Sequence, residues 1–279
     1  MESLQDNVPP IDRDTIINMI ETHVNLGTFS HFEHEPFKSA SIGQVHKATL
    51  QTGETVVVKL RRPQIYEIVK SDTDNIKDIV RFLEKIGVDT GTNTGYVLDE
   101  SIEYLLAETD YEQETMNAKK FRKSLKKVDW MKIPKVYDDL CTPDMIVMEY
   151  IASEKLNDIS DPKVNRKKVC EALINSYVIQ TMDKGFFHAD PHPGNLGFTT
   201  NGKLVFYDFG LVIDISDEMR EGFNELFIHI INRDTKGIVD VLIRLDVILP
   251  TTSDTSDIEL FFKTTLNYLE TLDGKNLKD

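Results

Sequence analysis

The sequence has few cysteines, no long apolar run and a shortage of positive charge. Its two cysteines, Cys141 and Cys170, are far apart and form no CxxC motif, which excludes a disulfide framework or a cysteine-based zinc site and predicts a reducing, cytoplasmic setting. No apolar run approaches the roughly 18 residues of a membrane-spanning helix. Because the amino-terminal stretch is acidic and polar, we expect neither a secretory signal nor an Arg-rich transit peptide in it.

The charge balance narrows the choice of ligands. The 279 residues carry 32 Lys and Arg against 47 Asp and Glu, which gives a formal net charge of -15. Such a field repels nucleic acid and anionic lipid, so we expect no nucleic-acid partner, and a phosphorylated ligand would need local cations. The hydrophobic content of 40% is ordinary for a soluble globular protein with one large domain or two modest ones.

Two motifs in the second half of the chain carry the chemistry. His188-Ala-Asp-Pro-His-Pro-Gly-Asn195 places Asp190 and Asn195 in one Gly/Pro-rich loop, and a short apolar strand at 204–206 then delivers the aspartate of Tyr207-Asp-Phe-Gly210. Phosphoryl transfer needs this set, because one carboxylate accepts the proton of the acceptor hydroxyl. An amide oxygen and a second carboxylate hold Mg²⁺ against the phosphates.

The first half of the chain predicts a hairpin that carries a lysine. Residues 36–45 contain a loop of small residues, and residues 46–50 and 55–60 form two strands joined by a Gly-containing turn at 51–54. In the second strand Lys59 shares a face with Val57, opposite the face of the other apolar residues. An unpaired ammonium is costly to bury, so Lys59 predicts an anionic partner, either a phosphate, a carboxylate or both.

Residues 1–10 predict a frayed tail, followed by a helix that Asp12 or Asp14 caps. Residues 64–86 and 96–125 each show helical periodicity. The second of these helices carries Glu108, Asp110 and Glu114, which cannot share one narrow helix face, so at least one has a separate role.

Strands are predicted at 134–137 and 144–151, and helices dominate after residue 160. One of these helices is predicted to begin after a Ser216 cap and to reach about residue 231, with Phe223, Leu226, Phe227 and Ile230 in the core. The main chain at 149–152, where the chain crosses to the helical part, is placed to meet an adenine edge. The fold class is therefore α+β, with a small sheet-bearing lobe and a larger helical lobe. The predicted parts are a tail and helix at 1–27, the small lobe at 28–151 and the helical lobe at 152–279.

This order of motifs resembles the protein-kinase-like fold, and its details resemble one family within it. Lys38-Ser-Ala-Ser-Ile-Gly-Gln-Val-His46, Glu108-Thr-Asp110 and the His188–Asn195 loop are similar to the signatures of the ABC1/UbiB/ADCK (coenzyme Q8) atypical kinases. The resemblance covers roughly residues 5–250. It implies an ATP-dependent phosphotransferase or ATPase that uses ATP and Mg²⁺.

The resemblance also implies roles for individual residues. Lys59 would hold the α- and β-phosphates and pair with Glu114, Asp190 would be the catalytic aspartate, and His188 would brace its loop. The remaining positions would bind metal (Asn195, Asp208), lie in the nucleotide loop (Ser39, Ala40, Ser41), meet the adenine through the main chain (Glu149, Ile151) or form the family's ExD signature (Glu108, Asp110).

Three departures from the family pattern accompany this interpretation. The family's KxGQ segment precedes the part resembled here, so we expect Glu108 and Asp110 to lack the contacts that this segment makes with them in the family. The chain would then be either a fragment or a reduced member of the family with a more open cleft. Lys38 and Ser39 replace alanines of the loop, and Lys38 is a candidate phosphate contact. No Ala-Pro-Glu segment follows Gly210, which disfavours a peptide substrate.

The expected function is transfer of the γ-phosphoryl group to water or to a small or lipid acceptor. The resemblance implies a role in coenzyme Q (ubiquinone) biosynthesis or lipid homeostasis, with quinone or lipid intermediates and a membrane surface as partners. It also implies a mitochondrial, plastid or membrane-peripheral location. The oligomeric state is left open.

Three alternatives stay open at this point. One is a non-catalytic nucleotide-binding regulator with the same fold. Another is a metal-dependent hydrolase that uses His188, Asp190 and His192. The last is a small-molecule phosphotransferase of the aminoglycoside/choline type, which shares the His-x-Asp-x-x-x-x-Asn loop but not the small-residue loop.

Overall fold

The computed structural model describes residues 8–88, 94–156, 166–248 and 254–273. The described chain is a mixture of helices and short strands, as the α+β prediction requires. Its helices are α1 (Arg13–His23), α2 (Ile65–Lys85), α3 (Thr94–Ala107), α4 (Tyr111–Ser124), α5 (Arg166–Val178), α6 (Asp217–Asn232), α7 (Thr235–Arg244) and α8 (Ser256–Asp273). Its strands are β1 (Phe29–Phe32), β2 (Lys38–Ser39), β3 (Gly43–Leu50), β4 (Thr55–Arg61), β5 (Met131–Lys132), β6 (Met145–Glu149), β7 (Glu154–Lys155), β8 (Phe186–His188), β9 (Leu196–Phe198), β10 (Leu204–Phe206) and β11 (Val212–Asp214).

Two compact units make up the chain. The first contains residues 1–173 and 188–212, and the second contains residues 174–187 and 213–279. The predicted lobe boundaries, at residues 27 and 151, stay predictions.

The main sheet of the first unit has the order β1-β3-β4-β6, with β2 paired to β3. The predicted hairpin is correct, because β3 and β4 are antiparallel and Val45 faces Lys59 across the pair. The side chains of β4 alternate as expected. Val56, Val58 and Leu60 are fully buried, whereas Lys59 points to the opposite, half-open face.

Helix α1 covers one face of this sheet. Ile16 and Ile20 pack there against Val56, Val58 and other buried residues of β1, β3, β4 and β6. The predicted cap is present, because the Asp12 carboxylate accepts a hydrogen bond from the Thr15 amide at 3.0 Å.

Residues 8–11 are anchored beside the predicted nucleotide loop. The carbonyl oxygens of Val8 and Pro9 accept hydrogen bonds from the Ser39 hydroxyl at 2.9 Å and the Arg62 guanidinium at 2.8 Å. The Ile11 amide donates to the buried side chain of Gln44 at 2.8 Å. The prediction of a frayed tail is therefore wrong for residues 8–10, and residues 1–7 lie outside the described chain.

A break divides the long helix predicted at 96–125. Helix α3 ends at Ala107 and α4 begins at Tyr111. Asp110 causes the new start, because its carboxylate caps α4 by accepting a hydrogen bond from the Gln113 amide at 2.9 Å. The prediction that these acidic residues serve different roles agrees with this arrangement.

The strand predicted at 134–137 is wrong in extent. Only a single bridge joins Val136 to Met148 there, and the strand that forms is β5, at residues 131–132. β5 lies in a second sheet of the first unit, with the order β5-β10-β9-β7. Strand β10 covers residues 204–206 as predicted and leads directly to Asp208.

In the second unit, α6 begins after the predicted Ser216 cap, whose hydroxyl accepts a hydrogen bond from the Met219 amide at 3.1 Å. The expectation that Phe227 and Ile230 belong to the core is wrong, because both are exposed. Helix α6 instead packs against α7 through Gly222, where an added Cβ would lie 2.7 Å from the Leu245 side chain. In the described part of the chain, no helix is long and apolar enough to cross a membrane.

Candidate active site

A partly buried ionic triad joins three distant segments of the first unit. The Lys59 ammonium nitrogen lies 2.9 and 2.7 Å from the two carboxylate oxygens of Glu114 and 3.1 Å from a carboxylate oxygen of Asp208. The Glu114 side chain is 1% exposed, whereas that of Asp208 is 36% exposed. One carboxylate is thus enclosed, and the other is open to a ligand.

The environment separates the proton affinities of these groups. Burial, helped by repulsion from Asp208, raises the pKa of Glu114 to about 7 although Lys59 opposes the rise. Burial also acts on Asp208, but the Lys59 ammonium and the Gly210 amide hold its pKa at about 2. The pKa of Lys59 lies well above its usual value, because the Asp208 and Glu114 carboxylates outweigh the effect of burial. Asp208 is therefore an anion, and Lys59 a cation, at neutral pH.

The loop after β8 holds the second pair of predicted site residues. The Asn195 amide nitrogen donates a hydrogen bond to a carboxylate oxygen of Asp190 at 2.6 Å. This bond leaves the amide oxygen of Asn195 as the atom suited to a cation, since Mg²⁺ prefers oxygen ligands. The pair therefore combines a carboxylate that can accept a proton with an amide that can ligate a metal ion.

His188 links this loop to the Asp208 segment. Its Nδ1 accepts a hydrogen bond from the Asp190 amide at 3.2 Å, so its Nε2 carries the hydrogen and donates to the Asp208 carbonyl at 2.6 Å. Burial lowers the pKa of His188, which agrees with a neutral ring. The ring thus holds the main chains of two site segments together, as the predicted brace would.

The same bonds count against a metal-dependent hydrolase built on His188, Asp190 and His192. Both ring nitrogens of His188 are engaged by the main chain, and Nδ1 of His192 accepts a hydrogen bond from the Gly194 amide at 3.1 Å. Across the described ranges, no group of three or more His, Cys, Asp or Glu is arranged to hold a metal ion. That alternative is therefore wrong as a description of this loop.

Two residues of α4 that contact the triad or the segment next to it were not predicted from the sequence. Tyr111 is buried on α4, with its ring 5.0 Å from the Lys59 ammonium. Asn117 donates a hydrogen bond to the carbonyl of the fully buried Phe209 at 2.9 Å. Both residues lie three positions from Glu114 along α4, so helical spacing was the signal that could have identified them.

The two acidic residues of the ExD signature take different positions. Asp110 caps α4, whereas Glu108 lies beside the Asp208-Phe-Gly segment, where a Cβ added to Gly210 would be 3.9 Å from the Glu108 Cα. Although its side chain is exposed on one side, desolvation raises the pKa of Glu108, and the Asp208 and Asp190 carboxylates add to the rise. Glu108 is therefore a third acidic group close to the opening.

The predicted nucleotide loop is the short turn between β2 and β3. The Ser39 hydroxyl is held by the Val8 carbonyl and by Arg62, and the Ala40 carbonyl accepts a further bond from Arg62 at 2.9 Å, whereas Ser41 is exposed. The Lys38 ammonium approaches the His188–Asn195 loop, since a Cβ added to Gly194 would lie 3.8 Å from it. The loop is thus fixed at one side and presents Ser41 at its tip.

The predicted adenine-binding positions follow strand β6. The Glu149 amide donates to the Lys135 carbonyl at 2.8 Å, and the Glu149 carboxylate contacts Lys132 at 2.7 Å. The Glu149 side chain is therefore directed to the basic residues behind the sheet. Only its carbonyl oxygen, with the amide of Ile151, suits contact with a base, and that assignment stays a prediction.

The chain is similar in sequence to a known family and to several known proteins. The ABC1 atypical kinase-like domain matches residues 3–242. ACTIVITY OF BC1 COMPLEX KINASE 8, a chloroplastic protein of Arabidopsis thaliana, is 33% identical over 99% of the chain and 37% of its own length. The uncharacterized protein sll1770 of Synechocystis is 31% identical over 90% of the chain and 44% of its own length. The chain thus spans less than half the length of these relatives.

A solved structure shows the same fold. The chain is similar to Rv3197 of Mycobacterium tuberculosis, solved in complex with erythromycin, with a TM-score of 0.74, 22% identity, and coverage of 93% of this chain and 67% of that one. With the kinase-type order of its motifs and the extent of the family match, the chain belongs to the ABC1 (ABC1/UbiB/ADCK) family of atypical kinases and has a protein-kinase-like fold.

Proposed function

We propose that the protein binds Mg-ATP and transfers the γ-phosphoryl group to water or to a small or lipid acceptor. The observation that carries this proposal is the triad of Lys59, Glu114 and Asp208, which His188 connects to the Asp190–Asn195 loop. A cation, two carboxylates and an amide oxygen in one place fit a triphosphate and its magnesium ion.

The charge of each site residue determines the role that we assign to it. Lys59, fixed by Glu114, would contact the phosphates, and the Asp208 carboxylate and the Asn195 amide oxygen would hold Mg²⁺, whose charge offsets that of the phosphates. Asp190 would accept the proton of the attacking hydroxyl and orient it. Most of the rate enhancement would come from positioning and from charge stabilisation, since phosphoryl transfer needs little else from a protein.

We propose a small or lipid acceptor because the chain runs from Gly210 through β11 into α6 and so leaves little room for a peptide platform. Relatives named as chloroplastic support a plastid setting. A role near quinone or lipid intermediates at a membrane rests on the family alone. Quinone-like compounds and anionic vesicles are therefore the additives to include in activity measurements.

The test is ATP turnover by the purified chain and by two isosteric variants. Asp190→Asn should bind Mg-ATP with little change but lose about 10²-fold or more in turnover, because the proton acceptor is gone. Asp208→Asn should lose Mg-dependent nucleotide binding. Equal turnover in wild type and Asp190→Asn would refute the catalytic assignment.

The same experiment separates the enzyme from a non-catalytic regulator. Mg-dependent binding without turnover in the wild type, with or without the additives, would indicate a nucleotide-binding regulator instead. Mg-dependent binding retained by Asp208→Asn would remove Asp208 from the metal site.

A further inference from the structure

Positive charge is concentrated in one short stretch of this acidic chain. Eight of the 32 Lys and Arg lie within residues 119–135, which contain a single acidic residue, Asp129. This stretch includes the second half of α4, the turn after it and β5. Its local charge is opposite in sign to the net charge of -15.

The stretch folds around a cavity of about 510 Å³ in the first unit. Buried apolar residues, Leu125, Met131, Ile133 and Val136, contribute its apolar lining. No carboxylate lines this cavity among the described residues. Its remaining lining residues are all cationic: Lys119, Arg122, Lys123, Lys126, Lys132 and Lys135.

Neighbouring carboxylates neutralise only part of this charge. Lys119 pairs with Asp138 at 2.9 Å, and Glu149 accepts from Lys132 at 2.7 Å while lying 3.7 Å from Arg122. Within the described chain, Lys123 and Lys126 have no carboxylate within 4.0 Å. The cavity therefore keeps an excess of positive charge.

Helix stabilisation explains only some of these cations. Positive side chains favour the last turn of a helix, which accounts for Arg122 and Lys123 on α4. Lys126, Lys132 and Lys135 lie beyond the end of that helix, yet they converge on the same cavity. A convergence of like charges is unfavourable unless an anion offsets it.

We propose that this cavity binds a small, multiply charged phosphate, either free or as the headgroup of a lipid. Its concave shape suits a compact anion, and the negative charge elsewhere on the chain opposes approach to a broad anionic surface. Lysine and arginine are the residues that bind phosphate through charge-assisted hydrogen bonds. The site is separate from the triad, although α4 carries both Glu114 and Arg122.

Binding of inorganic tripolyphosphate, measured by titration calorimetry in EDTA at 150 mM salt, tests the proposal. The wild type should bind it, and Lys123→Glu/Lys126→Glu should weaken the binding by about tenfold or more, since two charge contacts are reversed. Lys70→Glu/Lys85→Glu is the matched control, because both lysines are exposed on α2, outside the cavity, and their change should alter binding by less than about twofold.

Two further arms complete the experiment. Vesicles of phosphatidylcholine with phosphatidic acid, assayed by sedimentation, identify a headgroup as the source of the phosphate. Lys59→Met shows whether tripolyphosphate occupies the nucleotide site instead. Lys123→Gln/Lys126→Gln replaces the Lys123→Glu/Lys126→Glu variant if that variant fails to fold.

The proposal is supported if either probe binds the wild type and the change at Lys123 and Lys126 weakens that binding. Absence of binding, equal loss in the control, or loss only in Lys59→Met overturns it. None of these outcomes depends on ATP turnover.

Discussion

At the scale of single residues, the Lys59–Glu114 contact combines a strong attraction with a heavy penalty for burial. Glu114 is 1% exposed, so removing its cation leaves a charge that cannot reach water. We expect Lys59→Met to lower the free energy of unfolding by about 3 kcal/mol at pH 8. The loss should be smaller at pH 6, where the isolated carboxyl can take up a proton.

The double variant Lys59→Met/Glu114→Gln is the control for this prediction. It removes both charges, so it should regain most of the lost stability in urea unfolding. A double variant as unstable as Lys59→Met would mean that the ammonium acts mainly through Asp208.

Glu114 also predicts a dependence of stability on pH. Its pKa is about 7 in the folded chain, against 4.5 for a free side chain, so the folded state holds the extra proton between these values. The contribution is present in full below pH 4.5 and is lost as the pH rises through about 7. The free energy of unfolding of the wild type, relative to Glu114→Gln, should therefore fall by about 3 kcal/mol at most between pH 4.5 and pH 8.

Comparing the two proteins at each pH removes the effect of other titrating groups. Asp208 titrates near pH 2, below this range. A relative stability that rises with pH would show that Lys59 attracts Glu114 more strongly than burial and Asp208 oppose its ionisation.

At the scale of elements, the position of Glu114 depends on where α4 begins. Asp110→Ala removes the cap and should lower stability by about 1 kcal/mol, whereas Asp110→Asn, which keeps an acceptor for the Gln113 amide, should cost little. Thermal unfolding of the two variants measures the difference. Equal losses in both would point to a role for the negative charge itself.

The β3–β4 hairpin, β10 and the His188–Asn195 loop could be predicted because their signals are local. Alternation placed Lys59 on the correct face of β4, and the run before Asp208 gave β10 its correct bounds. The break at Asp110 could not be seen, because apolar residues keep a helical spacing across it while one hydrogen bond starts a new helix. The exposure of Phe227 could not be predicted either, because periodicity shows that a helix has an apolar face but does not show what covers that face.

The residues of the candidate site differ in how far the sequence alone could identify them. Asp190 and Asn195 lie in one short loop, so their spacing was sufficient. Glu114 lies 55 positions from Lys59, and only the family resemblance selected it among the neighbouring acidic residues. His188 was expected to brace its loop, but its bond to the Asp208 carbonyl needs the folded chain.

At the scale of the whole molecule, a ligand that binds only the folded state should stabilise it. Mg-ATP at 100 times its dissociation constant is expected to add about 2.7 kcal/mol to the free energy of unfolding of the wild type. Asp208→Asn should show no Mg-dependent shift in its melting temperature. ATP with EDTA is the control, and an equal shift with and without Mg²⁺ would contradict a metal-bridged triphosphate.

The three hydrogen bonds that tie residues 8–11 to Ser39, Arg62 and Gln44 have a mechanical consequence. A force applied at Val8 would act through these bonds on the turn at Ala40–Ser41, so that turn would move together with residues 8–11. An environment-sensitive dye attached near Val8 would therefore report on the conformation of the turn at Ala40–Ser41.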